Sequence, residues 1–430
     1  MLALYRGLSR AAGPLIDAVL ARRVAAGKED GTRIGERYGK TKLPRPDGPL
    51  AWVHAASVGE SLSVLSLIER LVADMPALHV LVTTGTVTSA ALMEKRLPPR
   101  AFHQYAPVDR PDCVAAFLDH WRPDLALWVE SEFWPNLLTQ AKRRGAALIL
   151  VNARISPRAF SRWRFLPALI KPMLDCFDLC LAQSDAEAAR LRELGATRVA
   201  APGNLKFAAK PLPADAGELA RLEGMTGARP RWLAASTHPG EEEIVSTVHR
   251  DLSRQFPALL TVIVPRHPGR GREIAGDLRE RGFRVALKSA GEEPWQTNEI
   301  FIADSMGELG LYFRLCPISF IGGTLIPHGG HNPIEPAQLG SAIVHGPSMT
   351  NFQAIADEME ERKAALSVAG GHGLERAVAH LLSDADETKR MAVAARGIAE
   401  EKAEVLTQIM AELAPFLRKL SRQEPVHARA

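Results

Sequence analysis

The stretch ISFIGGTLIPHGGHNPIEPAQLGSAIVHGP, Ile318 to Pro347, decides the fold. Ile318 to Ile321 is a short apolar β-type run ending on Gly322-Gly323, and Gly329-Gly330 leads into Asn332-Pro333-Ile334-Glu335. Asn332 suits an N-cap, Pro333 the first helical position, and Glu335, three residues after the Asn, completes a capping-box-like pattern. Gly340 stops the short helix before a buried strand at Ala342 to Val344. Strand, Gly-rich turn and helix start place open backbone N–H groups at the carboxyl edge of a parallel sheet, where phosphates bind. An ordinary βα turn would share the glycines. It would not need His328, His331, Asn332 and Glu335, polar groups with no packing role.

Working outward, the same strand–turn–helix unit recurs along the chain. The first series holds strands at Leu50–His54, Leu78–Thr83, Asp124–Val129, Ala147–Val151, Leu179–Ala182 and Arg198-Val199. A second series starts at Trp232–Ala235 and continues through Leu259–Val264, Arg284–Leu287 and Ile300–Ala303 to the opening stretch. Two such series predict an α/β fold of two Rossmann-like parallel-sheet domains facing a cleft. The expected division is residues 1–30 as an amphipathic helix, 31–208 as the first domain, 209–229 as a Pro/Ala/Gly-rich linker and 230–430 as the second domain with a C-terminal helix.

Composition fits this class. With 430 residues, 46% hydrophobic and 24% charged, the chain can bury two sizeable cores. A net charge of +4 and a pI near 8.9 fall short of a nucleic-acid binder and suit a phosphorylated substrate or an anionic membrane surface. Cys113, Cys176, Cys180 and Cys316 lack CxxC spacing and read as buried thiols in a reducing compartment. Residues 2–22 are broken by Arg6, Arg10, Pro14 and Asp17 and so do not make a spanning helix. Leu4, Leu8, Leu15, Val19 and Leu20 share a helical face, which fits a helix lying in the membrane interface or one packed on the protein.

Functional groups in such folds sit at the carboxyl ends of strands, and the two halves differ. The first offers carboxylates. Glu60, at a strand–helix turn, suits either a general base or a helix-start acid. Glu130 and Glu132 flank Ser131 after the strand LALWV, and spacing does not say which points inward. Lys206 in GNLKF could neutralise an anionic donor. The second half offers nucleotide chemistry: Pro265-Arg266-His267 after a strand, Met306-Gly307-Glu308, and Asn332, Pro333, Ile334 and Glu335. No HExxH, DxD or clustered His/Cys spacing predicts a metal, which favours a monophosphate leaving group such as CMP. AASVGE and ASTHPG are not GxGxxG, and no P-loop is present, so hydride transfer and ATP hydrolysis are disfavoured.

HAASVGE (His54–Glu60), LVTTGT (Leu81–Thr86), YAPVD (Tyr105–Asp109), ESEFWPN (Glu130–Asn136) and LVNARIS (Leu150–Ser156) resemble the 3-deoxy-D-manno-octulosonic acid (Kdo) transferases. So do QSD, GNLKF, STHPGEE, PRHPGR, MGELG and FIGGTLIPHGGHNPIEP, in register from about Arg33 to Phe352. The resemblance implies a GT-B glycosyltransferase of lipopolysaccharide assembly that moves Kdo from CMP-Kdo to lipid IVA with inversion, without metal or other cofactor. It implies Glu60 as base, Glu130 and Lys206 as supports of the transition state, and the three second-half blocks as contacts to CMP. It further implies domain closure and a peripheral or N-terminally anchored position on the cytoplasmic face of the bacterial inner membrane. The amino-terminal segment is less apolar than the family's usual anchor, and Gly346–Phe352 differs from the usual block. Other readings are a nucleotide-sugar epimerase of similar architecture and a non-catalytic nucleotide- or lipid-binding protein.

Overall fold

Apolar, β-branched runs alternating with amphipathic helices fold as two units, Met1–Ala209 with Lys402–Ala430 and Lys210–Glu401. The computed structural model describes residues 1–208 and 210–422. In the first unit the described strands are β1 (Leu50–His54), β2 (His79–Thr84), β3 (Ala101–Tyr105), β4 (Leu125–Val129), β5 (Ala147–Ala153), β6 (Leu179–Ala182) and β7 (Val199–Ala200). They form one parallel sheet in the order β3-β2-β1-β4-β5-β6-β7. Its strands are buried on both faces. Trp52, Trp128 and Leu150 point to one side with Phe117 and Trp121, while Val53, Leu127 and Ile149 point to the other with Ile68 and Leu71. Helices on both faces explain why the strands read as continuous apolar runs rather than as an alternation.

The second unit repeats the plan with β8 (Arg231–Thr237), β9 (Leu260–Pro265), β10 (Val285–Leu287), β11 (Ile300–Ile302), β12 (Ile318–Ile321), β13 (Ala342–His345) and β14 (Ala365–Ser367). Its parallel sheet runs β10-β11-β9-β8-β12-β13-β14. Strand order reverses direction between β1 and β4 in one sheet and between β8 and β12 in the other. These are the switch points at which crevices open at the carboxyl edge.

Four expectations change. The amino-terminal segment is two helices, Leu2–Ala11 and Gly13–Ala25, because Pro14 lacks the N–H to continue the first. The first helix is tied down by Tyr5 Oη donating to Asp109 (3.0 Å) and Asn136 Nδ2 donating to Ser9 (3.0 Å). Leu20 is buried, whereas Leu4, Leu8 and Leu15 are 65%, 61% and 68% exposed, so the predicted face is split. The supposed linker contains the helix Ala216–Thr226, capped by Asp215 accepting from Glu218 N (2.8 Å), with Leu222 in the second unit's core. β3 escaped notice because His103 and Gln104 interrupt its apolar character. Cys176, like the other three cysteines, is buried.

The fourth change concerns the C-terminal helix, Val405–Arg422, which belongs to the first unit and not the second. Its stripe of Val405, Ile409, Leu413, Phe416, Leu417 and Leu420 packs with Leu71, Leu127 and Leu205. An i, i+4 stripe demands a partner but does not name one, so spacing alone could not choose between two sheets that both need helical cover. Leu413→Ala is therefore expected to destabilise the first unit by about 2–5 kcal/mol while leaving the second unchanged. Hydrogen exchange resolved by peptide distinguishes the two.

Candidate active site

At the first switch point β1 runs into Ala55-Ala56-Ser57 and the helix Val58–Ser63. Ser57 Oγ accepts from Glu60 N (3.3 Å). In return the Glu60 carboxylate accepts from Ala56 N (2.8 Å) and Ser57 Oγ (2.7 Å). This is a variant of the capping box, in which the carboxylate reaches the N–H of Ala56, one residue before the cap, so Glu60 does serve the helix start. It does not exhaust the residue. Glu60 is buried, and desolvation raises its pKa above the ordinary glutamate value. The two hydrogen bonds pull it down, and the charges of Glu130 and Glu132 push it up again. A carboxylate held in one rotamer with raised proton affinity is equipped to take a proton.

Across the switch, β4 is followed by Glu130, whose φ of 59° turns the chain sharply. Its carboxylate receives Lys206 Nζ at 3.0 Å, and both side chains are largely shielded. Glu132 accepts from Trp134 Nε1 (2.9 Å) instead. Glu130 is therefore the lysine's partner, while Glu132 lines a neighbouring cavity, and both carboxylates act electrostatically on Glu60. Lys206 is not a plain surface lysine. Buried Asn152 accepts from Leu205 N (2.9 Å), and Asn204 donates to Gln183 (3.2 Å) and accepts from Lys206 N (3.0 Å). These bonds hold the GNLKF segment against the ends of β5 and β6.

A cavity of about 410 Å³ reaches Ala56, whose N–H donates to Glu60, and is lined also by Tyr5, Arg37, His54, Asp109 and Glu132. His54 Nδ1 is 2.9 Å from Thr83 Oγ1, and its buried Nε2 has no hydrogen-bond partner among the described residues. Burial pushes the His54 pKa down to about 3, so the ring is neutral. Arg37 is held by Glu29 at 2.9 Å and donates to the Ala106 and Gly85 carbonyls.

In the second unit the predicted blocks follow the carboxyl ends of three strands of one sheet: Pro265-Arg266-His267 at the end of β9, Met306-Gly307-Glu308 after the adjacent β11, and Asn332–Glu335 after β12, which β8 separates from β9. Arg266 acts electrostatically on Glu335, His331 and His238, so three separate turns converge. Burial raises the Glu335 pKa, and Asn332 and Arg266 oppose that rise. The predicted capping box is not formed. The helix starts at Ile334 with Pro333 as cap, and Asn332 Oδ1 accepts from Ile334 N (3.1 Å), two residues on, while its amide reaches Glu335 (3.4 Å). Asn readily closes such a two-residue turn. Met306 is 79% exposed, whereas Glu308 is tied to Ser305 Oγ and to Lys288 at 2.7 Å.

A residue given no role by the sequence holds this edge together. Glu241 is fully buried, and its carboxylate accepts from His238 N (3.1 Å), Gly323 N (2.7 Å), Thr324 N (3.1 Å) and Leu325 N (3.1 Å). It joins the turns after β8 and β12. Gly322 is required alongside, since a Cβ there would lie 2.4 Å from the Ser236 carbonyl oxygen. A Glu at a helix start, three residues after a His in a strand-end turn, was the available signal. Spacing also predicted no metal cluster, yet His238, His328 and His331 come together here.

Two doubly wound units, each a parallel sheet flanked by helices, make up a GT-B-like α/β fold. The chain superposes on a putative UDP-N-acetylglucosamine 2-epimerase from Listeria monocytogenes (TM-score 0.60, 12% identity, 86% of this chain and 97% of that one). It also superposes on a glycosyltransferase from Rickettsia africae (TM-score 0.57, 13% identity, 88% and 100%). Both likenesses show the fold alone. Residues 32–209 match the family model for 3-deoxy-D-manno-octulosonic-acid transferase (kdotransferase). A 3-deoxy-D-manno-octulosonic acid transferase from Rickettsia bellii is 34% identical over 382 residues, 89% of this chain and 91% of the relative. One from Haemophilus influenzae is 33% identical over 397 residues, 90% and 92%. The chain belongs to the 3-deoxy-D-manno-octulosonic acid transferase family and is a glycosyltransferase.

Removing the Glu241 carboxylate leaves four backbone donors without their acceptor. Glu241→Ala is expected to cost at least about 3 kcal/mol, or roughly 6–12 °C in the melting of the second unit. Calorimetry of the whole chain, with the first unit's transition as internal reference, reads the loss.

Proposed function

We propose that this enzyme transfers Kdo from CMP-Kdo to lipid IVA, in lipopolysaccharide assembly, with inversion at the anomeric carbon. The observation that carries the reading is the Glu60 carboxylate, locked by Ala56 N and Ser57 Oγ and raised in proton affinity by burial. In this reading Glu60 removes the proton from the acceptor hydroxyl. The freed oxygen forms its bond to the anomeric carbon as the bond to the CMP phosphate oxygen breaks, and the electron pair leaves with CMP. The acceptor sugar occupies the cavity that reaches Ala56, with the unpartnered His54 Nε2 and the Arg37 guanidinium as its polar lining. Lys206, oriented by Glu130, offsets negative charge on the donor as it develops.

The second unit takes the nucleotide. Arg266 and His267 supply cationic and hydrogen-bonding groups for the phosphate. Glu335, braced by Asn332, suits the ribose hydroxyls, and exposed Met306 offers an apolar face to the base, with Gly307 letting the backbone approach. A monophosphate leaving group carries less charge than a diphosphate and needs fewer cationic partners.

A lipid acceptor agrees with the amino-terminal helices. No described helix is long and apolar enough to cross a membrane. Leu4, Leu8, Leu15 and Val19 nonetheless stand exposed beside Arg6, Arg10 and Arg22, a pattern suited to lying in an anionic interface. We place the enzyme peripherally on the cytoplasmic face of the bacterial inner membrane. The likeness to epimerases rests on fold alone, and no observation favours that activity.

Incubation with CMP-Kdo and lipid IVA, followed by mass spectrometry of the lipid, tests the assignment. Wild type should add the mass of Kdo, and Glu60→Gln should lower the rate by about 10²–10⁴-fold. Because the base works deprotonated and its pKa is raised, the wild-type rate should rise with pH through that elevated pKa and level off above it. A wild type that leaves the lipid unchanged while binding CMP overturns the transfer reading. Replacing Leu4, Leu8 and Leu15 by Ser should reduce sedimentation with anionic vesicles without altering CMP binding.

A further inference from the structure

Among the described residues one group of His, Cys, Asp or Glu side chains has the spacing of a metal site: His238, His328 and His331, whose ligand nitrogens all lie within 4.8 Å of one another. Sequence spacing hides it, because His238 follows β8 and the other two follow β12, more than 80 residues on. The switch point makes these turns neighbours. His238 Nε2 and His331 Nε2 are 2.9 Å apart, with ring planes inclined by only 3°. The His328 ring centroid lies 3.9 Å from that of His238.

The backbone is shaped to gather these rings. Gly323 sits at φ +70°, and a Cβ placed on it would lie 3.3, 3.4 and 3.5 Å from Cδ2 of His328, His238 and His331 respectively. Three imidazole edges therefore converge over one α-carbon. The approach of His238 Nε2 to His331 Nε2 at 2.9 Å requires that one of the two nitrogens present a lone pair. The close contact between their Nε2 atoms needs a single shared proton, which a metal ion can displace once the donor ring moves its proton to Nδ1.

We propose that His238, His328 and His331 form a three-imidazole site for a late first-row divalent cation such as Zn²⁺, with the remaining coordination open to water or an anion. Bonds of about 2.0–2.1 Å in a tetrahedral arrangement separate ligand nitrogens by about 3.3 Å. The close pair opens slightly to reach this, and the exposed His328 swings in. Imidazoles without a carboxylate select Zn²⁺, Co²⁺, Ni²⁺ or Cu²⁺ over Mg²⁺ and Ca²⁺. Arg266 and His267 oppose a bare dication, and Glu242 partly offsets them, so the site binds more weakly than an all-protein structural zinc site. The ion plays no part in the transfer step proposed above. It occupies turns that flank the nucleotide blocks, and its binding does not depend on that reading.

The full chain, made without a histidine tag and stripped with a chelator, is titrated with Co²⁺ alone and followed by visible absorption. The expected result is the intense spectrum of four-coordinate Co²⁺ at one equivalent, displaced by Zn²⁺. His328→Ala, an exposed position whose loss leaves the fold intact, should weaken binding by at least about tenfold, and His331→Gln should do the same. A pale six-coordinate spectrum, or Co²⁺ held as tightly by both variants as by wild type, overturns the proposal.

Discussion

Backbone N–H groups left open where a parallel strand turns into a helix need acceptors, and in both units a glutamate at the helix start supplies them. Glu60 serves the turn after β1 and Glu241 the turn after β8, each strand lying at its sheet's switch point. The two carboxylates have different fates. Glu241 spends its lone pairs on four backbone donors and is sealed from solvent, so it can only hold. Glu60 accepts from one amide and one hydroxyl, retains lone-pair capacity, and faces two like charges, so it can also react. One local device thus yields a saturated brace in one unit and a carboxylate with spare acceptor capacity in the other, and the number of donors each faces makes the difference.

The surrounding groups follow from this constraint. Because the turn after β1 is rigid, Glu130 and Lys206 can be set beside it by the ends of β4, β5 and β6, with Asn152 and Asn204 fixing the lysine's backbone. Because Glu241 binds the turns after β8 and β12 to each other, His238, His331, Asn332 and Glu335 keep their relation to Arg266. A loop carrying four glycines between Gly322 and Gly330 would otherwise cost conformational entropy without gaining a defined shape.

Much of this was legible beforehand. Continuous apolar runs such as LALWV and ALILV can be buried on both faces only in a parallel sheet, and groups at their ends have no packing reason to be polar. Hence Glu60, the pair Glu130 and Glu132, Arg266 and Glu335 stood out one at a time as polar groups at strand ends. Their partners were not. Lys206 on Glu130 spans 76 positions and Glu241 on Gly323 spans 82, and no local pattern encodes such a pairing. The helix Ala216–Thr226 was masked by Pro, Ala and Gly around a sound Asp-x-x-Glu cap.

The sequence by itself determined two doubly wound units, their strand ends, and the residue types available there, because periodicity and capping act within a few residues. Only the tertiary structure decided which sheet the C-terminal helix covers, which of Glu130 and Glu132 meets Lys206, and that three histidines from separate turns share one spot. Those outcomes depend on burial and on the crossing of chains at a switch point, where distance in space has no relation to distance along the chain.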